Sequence, residues 1–291
     1  MKILNYTIVI LLCSGGLHAQ TFTEKITREL SFGQRSEQNT LIVANINGDV
    51  NVTGYDGDKI VVEINKSVRA KTEPRLAKGK AISLGVIDRA DTVILFVNGL
   101  CTAFNKQNDP AGQEWGYQWN QDCQSCHDEF DHTMDFTIRV PRNINLIVST
   151  VNDGNIAIGN MKGAIVASNV NGSIDLQNLE RAAEATTING DVHITYAHNP
   201  DQYCRFYTLN GDINAWFQKG LAANLSFESF NGSFYTNIEQ IQVLPAIIKR
   251  SERDDGTGYK ISGNRYKVGT GGTLLDFETF NDNVYLKEKT N

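Results

Sequence analysis

After its first nineteen residues the chain has no apolar run approaching the roughly 20 residues that a membrane span needs, so it offers no candidate transmembrane segment. It also has no surplus of basic charge: 27 Lys and Arg stand against 33 Asp and Glu, a net charge of −6. That balance argues against nucleic acid as a partner. Two site motifs are missing as well. Gly269-Thr270-Gly271-Gly272 has no Lys-Ser or Lys-Thr after it and runs into a strand pattern, so it reads as a turn and not as a phosphate loop. The glycine-aspartate nonapeptide of calcium-binding β-rolls does not occur.

What is present begins with residues 1–19, where Lys2 precedes the apolar run Ile8 to Leu12 and small residues lead to Ala19. This is the pattern of a cleavable secretory signal, and it predicts a mature chain starting at Gln20. Leu12 stands where a lipoprotein needs a small residue before Cys13, which favours plain cleavage. Losing Lys2 leaves 26 − 33 = −7. Export to the periplasm, the cell surface or the medium is the expected localisation.

One motif recurs along the rest: Asn47-Gly48, Asn171-Gly172, Asn189-Gly190, Asn210-Gly211 and Asn231-Gly232, each followed by Asp or Ser. Degenerate copies stand at Asn152-Asp153-Gly154 and Asn281-Asp282-Asn283. From Asn152 to Asn231 the steps are 19, 18, 21 and 21 residues. A period near 20 is too short for a propeller blade and suits one turn of a β-solenoid.

Aligned on the Asn, position −2 is Asn45, Thr150, Asn169, Thr187, Thr208, Ser229 and Thr279, always small and hydrogen-bonding. Position −4 is Val43, Val148, Ala167, Ala185, Phe206, Phe227 and Phe277, and position −6 is Leu41, Leu146, Ile165, Ala183, Cys204, Leu225 and Leu275. Side chains alternate faces along a strand, so these even positions share one apolar face, which is the core. Glu184, Arg205, Glu228, Asp276 and Glu278 fall between them and belong in water. The alternation resumes after the turn with Ile174 and Leu176, Val192 and Ile194, and Val284 and Leu286. The glycine supplies positive φ for the turn, a role that Asp282 would fill in its copy. An Asn-Gly hairpin meander is the rival architecture, but it does not explain why the same residue types return at the same offset. In parallel coils like sits on like about 4.8 Å apart, so Asn can ladder on Asn and Phe206 can stack on Phe227, with Cys204 beside Leu225.

The period breaks twice. Residues 55–98 hold longer strands, Ile60 to Val68 and Thr92 to Val97, with a helical stretch at Pro74 to Lys80. Residues 99–134 read as an irregular insertion. The chain from residue 20 to 291 is otherwise expected to be a single domain.

The runs DFTIRVPRNINLIVSTVNDGNIAIGNMKGAIVASNVNGSIDL (135–176), ATTINGDVHI, FYTLNGDINAWF and KVGTGGTLLDFETFNDNVYL resemble the bacterial "putative adhesin" β-solenoid domains of unknown function. The resemblance covers roughly residues 40–98 and 134–288. It implies an all-β, right-handed parallel β-helix, exported and with no assigned catalytic residue. Nothing transfers to the insertion.

The insertion contains Cys101, Cys123, Cys126 and His127, with Trp115, Tyr117 and Trp119 nearby. Cys123-Gln124-Ser125-Cys126-His127 matches the haem-attachment pattern, and the three thiols with His127 could hold zinc. The plainer expectation is a disulfide pinning Cys101 to Cys123 or Cys126, as is routine in exported proteins. Alternating Trp115, Tyr117 and Trp119 could cover one side of the core or expose an aromatic face. Asp49, Asp191 and Asp212 could form a column, solvated or bridging a cation. No catalytic residue, metal ligand or cofactor is assigned. The expected function is a non-catalytic cell-envelope scaffold, adhesin-like, whose partner is an envelope protein or glycan. The alternatives are a carbohydrate-active enzyme on the same scaffold, or a metal- or haem-binding protein working through the insertion.

Overall fold

The computed structural model describes residues 7–9, 19–34, 36–99, 101–106, 115–119, 130–253, 256–262 and 264–289. The described residues are all-β with mixed sheets and one short helix. It divides into two compact units, residues 1–158 and 159–291, described separately.

The first unit runs β1 (Thr7–Val9), β2 (Gln20–Leu30), β3 (Thr40–Ala44), β4 (Val50–Tyr55), β5 (Ile60–Ala70), α1 (Glu73–Lys80), β6 (Ser83–Asp88) and β7 (Thr92–Asn98). It continues with β8 (Thr102–Lys106), β9 (Trp115–Trp119), β10 (Phe130–Pro141), β11 (Asn145–Ser149) and β12 (Ile156–Gly159). The repeat is kept where β3 pairs parallel with β11, Leu41 opposite Leu146 and Val43 opposite Val148. Asn47 bridges Asn152 in parallel as the turns superpose. The intervening 89 residues between Tyr55 and Asn145 are therefore an excursion from two coils that touch. Much of that excursion is antiparallel: β2 with β5, β5 with β10, and β6 with β7. The break expected at 55–98 is thus real, and its antiparallel pairing, which makes the sheets of this unit mixed, was not foreseen. The long alternating strands β5 and β10 bury Ile60, Val62, Ile64, Phe136, Ile138 and Val140 on one face. Phe22, Phe130 and Leu76 of α1 pack with Val68 and Ala70.

The second unit runs β13 (Ile165–Ser168), β14 (Ile174–Leu179), β15 (Ala183–Asn189), β16 (Val192–Tyr196), β17 (Cys204–Asn210), β18 (Ile213–Phe217) and β19 (Ala223–Ser229). It ends with β20 (Phe234–Thr236), β21 (Ile241–Leu244), β22 (Ile247–Arg253), β23 (Gly256–Ser262), β24 (Arg265–Val268), β25 (Thr273–Thr279) and β26 (Val284–Glu288). Successive strands alternate between two parallel ladders, β13-β15-β17-β25-β19 and β14-β16-β18-β26-β20. The strands flanking each Asn-Gly thus enter different sheets, which is the opposite of a hairpin meander. Alternation does what the sequence demanded: Leu225, Leu275, Phe206 and Phe277 are fully buried, while Arg205 and Glu228 are exposed.

The spatial order departs from sequence order. Coil 273–288 lies between coil 204–217 and coil 223–236, so Phe206 and Phe227 each face Phe277, and Cys204 faces Leu275. The expected Phe206–Phe227 and Cys204–Leu225 neighbours are corrected accordingly. The physical reason is that β24 and β21 add antiparallel to the far side of β19 and bring the chain back to the seam.

Candidate functional site

The turn corner of the second unit is built from side chains whose roles repeat. Asn189 Nδ2 donates to Asn171 Oδ1 (2.9 Å), Asn210 to Asn189 (2.8 Å), Asn281 to Asn210 (2.6 Å) and Asn231 to Asn281 (2.9 Å). The repeated Asn is therefore a continuous amide ladder. Position −2 has a separate task. Thr187, Thr208 and Thr279 donate to the carbonyls of Gly172, Gly190 and Gly211, and in the first unit Thr150 donates to Gly48 O (3.1 Å). These hydroxyls are buried, so each satisfies a carbonyl that would otherwise be stranded.

The glycine is needed both for its positive φ and for close approach. A Cβ on Gly190 would run into Gly172 O, and one on Gly211 into Gly190 O. Their φ values of 152° and 150° lie where L side chains are rarely found, as the turn was expected to require, whereas Asp282 is not among the positive-φ residues. The positive-φ turn expected at Asp282 is thus corrected. Asp153, at φ 48°, is the residue that adopts it.

The Asp column also has a defined role. Asp191 N–H donates to Ser173 Oγ (3.1 Å), Asp212 N–H to Asp191 Oδ1 (2.9 Å), Asn283 N–H to Asp212 Oδ1 (2.9 Å) and Ser233 N–H to Asn283 Oδ1 (3.0 Å). Ser173 and Ser233 take part in this column alongside the carboxylates. Asp49 accepts from Asn155 N–H in the same way (2.8 Å).

Outside the core, the β14-to-β20 sheet presents a second set of rows. Tyr235 and Tyr285 stack at 5.1 Å, and Lys287 Nζ lies 4.8 Å from the Trp216 ring and 5.5 Å from that of Tyr285. At the corner, Phe230 stacks on Phe280 at 5.0 Å and 5° while 76 % exposed. Position −1 is apolar in every copy, and in the second unit it is exposed at Ile188, Phe230 and Phe280 and half-buried at Val170 and Leu209, a signal that was available in the repeat; in the first unit Ile46 is instead buried. The opposite sheet face carries charges: Arg205 donates to Glu278 (3.1 Å), which holds its guanidinium in the charged form, and Glu228 stands opposite Glu278.

Among the described residues Cys204 is the free cysteine; it is buried, 3.2 Å from the Tyr196 hydroxyl, and burial raises both groups. Cys101 is 9 % exposed and is not a free thiol. Cys123, Cys126 and His127 lie outside the described residues, and the zinc and haem alternatives rest on them. The described part of 99–134 holds the antiparallel hairpin β8–β9, and Phe130 to Met134 already belong to β10, which corrects the insertion's end. Tyr117 settles the role of its side chain: its hydroxyl donates to Ala44 O and accepts from Val97 N–H, both at 2.8 Å, and burial pushes its pKa up. Phe104 joins it by stacking on half-buried Phe96 at 4.8 Å, so the hairpin is fastened to β7.

Two ionisable groups of the first unit escaped the sequence reading. Lys66 is 2 % exposed and donates to the carbonyls of Lys80 and Ile82 at the end of α1, with Glu24 at 3.6 Å. Desolvation lowers its pKa. His132 Nε2 lies 3.2 Å from Asn47 Nδ2, and burial followed by the Lys66 charge lowers its pKa too. An amide donor facing Nε2 fits neutral imidazole. Alternating Lys66 with apolar residues on β5 was the available hint, since a charge at a core-facing position demands partners.

No family model and no curated protein sequence matches the chain. Three solved structures are similar over most of its length. A "putative cell adhesion protein" from Clostridium sporogenes has a TM-score of 0.41 and 10 % identity, covering 93 % of this chain and all of that one. A "putative adhesin" from Bacteroides fragilis has a TM-score of 0.37 and 12 % identity, over 91 % and 97 %. A "putative lipid binding protein" from Parabacteroides distasonis has a TM-score of 0.26 and 10 % identity, again over 91 % and 97 %. At these TM-scores they carry no argument for function.

Proposed function

We propose that the chain is an exported, non-catalytic, right-handed β-helical scaffold that presents a lateral face to a glycan or an envelope protein. Residues 1–19 serve as the export signal, and residues 20–291 act as one adhesin-like domain. The observation that carries this reading is the outward row of Trp216, Lys287, Tyr285 and Tyr235 on neighbouring parallel strands. Rings held in fixed rows present large contact area at little cost in conformational entropy, and cation and hydroxyl groups beside them supply polar contacts. The charges of the opposite sheet support a non-catalytic role, because Glu278 is engaged by Arg205. For the hairpin region the reading includes a Cys101 disulfide to Cys123 or Cys126, supported by the buried, non-thiol state of Cys101. The test is a glycan array and an envelope pull-down with the mature protein beside Trp216→Ala and Tyr285→Ala. Truncating a ring at the centre of the binding face should weaken binding about tenfold. Capture that both variants leave unchanged would remove this face from the function.

A further inference from the structure

The two ladders of the second unit end differently. On the far side of β19 the antiparallel strands β24 and β21 cover the backbone edge. On β20 nothing does: it is the last strand of its sheet among the described residues. Since Ser233 O accepts from Val284 N–H, strand alternation turns the peptide groups of Phe234 and Thr236 away from β26 to this open edge. The amide ladder, the N–H-accepting column and two ring stacks terminate here. Asn231 donates to Asn281, which leaves its Oδ1 as the open acceptor of the amide ladder. Ser233 Oγ closes the N–H-accepting column in the same way. Phe230, 76 % exposed, and Tyr235, 50 % exposed, are the last rings of the Phe280 and Tyr285 stacks. Stacked repeats need a polar cap at their ends, and exposed edges are usually kept short or blunted by Lys, Pro or a bulge. Phe234-Tyr235-Thr236 is short but has no Lys, Pro or bulge.

We propose that the edge of β20 is a strand-acceptor site, filled by an extended segment of another polypeptide that runs parallel to β20 and continues the repeat. The chemistry of the open end specifies the occupant. It carries a side-chain amide that donates to Asn231 Oδ1, a backbone N–H two residues later that meets Ser233 Oγ, and an apolar or aromatic residue just before the amide to cover Phe230. Main-chain bonds to Phe234 and Thr236 supply affinity and the ladder sets register, which is the mode of recognition known as strand addition. The inference goes beyond the lateral-face reading and does not depend on it.

The test uses the full chain and a synthetic peptide copying Phe277 to Glu288, the segment that already pairs in parallel with β20 on its other side. Titration by fluorescence anisotropy should show saturable 1:1 binding. A peptide with Ala in place of the Asn281 equivalent should bind about fivefold more weakly, the worth of one net hydrogen bond. Thr236→Pro removes an edge N–H while leaving the bonds to β26, a place where a strand tolerates proline, and should abolish binding; because it also removes the hydroxyl that accepts from Ile238 N–H, Thr236→Val, which loses the hydroxyl alone, is the matched control and should keep binding. An absence of binding, or equal binding by Thr236→Pro, overturns the proposal. Concentration-dependent dimers that Thr236→Pro removes, without peptide binding, would assign the edge to a second copy and overturn the proposed occupant. Loss of glycan capture by Trp216→Ala with peptide binding intact separates the two surfaces.

Discussion

Phe277→Ala should be the most damaging truncation of a ring in the second unit. Phe277 is fully buried, 5.4 Å from Phe206, with Phe227 in register on its other side, and all three strands are held by parallel backbone ladders. Collapse into the space left by the ring is resisted from both sides, so the transfer and cavity costs add to about 4 kcal/mol. Phe227 is 8 % exposed near the end of the stack and has room to relax, so Phe227→Ala should cost nearer 3 kcal/mol. With a denaturant slope of about 2.5 kcal/mol/M in urea, Phe277→Ala should lower the midpoint by about 1.6 M. Glu278→Ala, next in sequence but half-exposed and tied only to Arg205, should cost less than about 1 kcal/mol. Urea unfolding followed by circular dichroism measures all three. If Phe227→Ala proves clearly worse than Phe277→Ala, coil 273–288 is not the middle layer, and the intercalated order is wrong.

Gly211→Ala should destabilise by about 3 kcal/mol, because its Cβ meets a backbone carbonyl that cannot move away; thermal melting would show it, and a neutral result would reject close approach as the reason for the glycine. Asn210→Ala breaks both of its ladder bonds at an exposed corner and should cost about 1 kcal/mol in the same assay. His132 has its pKa lowered by burial, so the unfolded chain binds the proton more readily and stability should fall as pH drops below 6.5 toward the folded value. His132→Gln should flatten that part of the stability–pH curve, and an unchanged slope would argue against neutral buried imidazole. Mass analysis of the purified protein with and without reductant should show one disulfide involving Cys101, whereas stoichiometric zinc with all three thiols free, or attached haem, would replace it.

The repeated face was legible because it rests on period-two alternation, which neighbouring sequence alone reveals: Leu225, Phe206, Thr208 and Val284 all lie where the offset from Asn places them. The helix at Glu73–Lys80 and the strands beginning at Ile60 and Thr92 were legible for similar local reasons. Tertiary pairing decided what was missed. The antiparallel excursion depends on β10 reaching both β4 and β5, and the fastening role of Tyr117 depends on Ala44, 73 residues away. Of the candidate surface, the ring column could be read only once Tyr235 was known to sit beside Tyr285, 50 residues later in the chain.

That last pairing exposes a general property of such ladders. Each coil offers the same offsets to its neighbour: an amide for the next amide, a hydroxyl for the next glycine carbonyl, a side-chain oxygen for the next N–H. Coil 223–236 therefore could satisfy coil 204–217 directly, with Asn231 on Asn210 and Phe227 on Phe206, and the sequence contains no feature that forbids it. The observed order needs information from elsewhere, namely the antiparallel return through β24, which occupies the far edge of β19 and delivers residues 273–288 to the seam. Because like residues satisfy like, a repeat pattern specifies membership of the stack while connections specify position in it. The same interchangeability is why the unfilled valences of Asn231 and Ser233 define a chemically specific edge: what completes them is one more coil of the same kind.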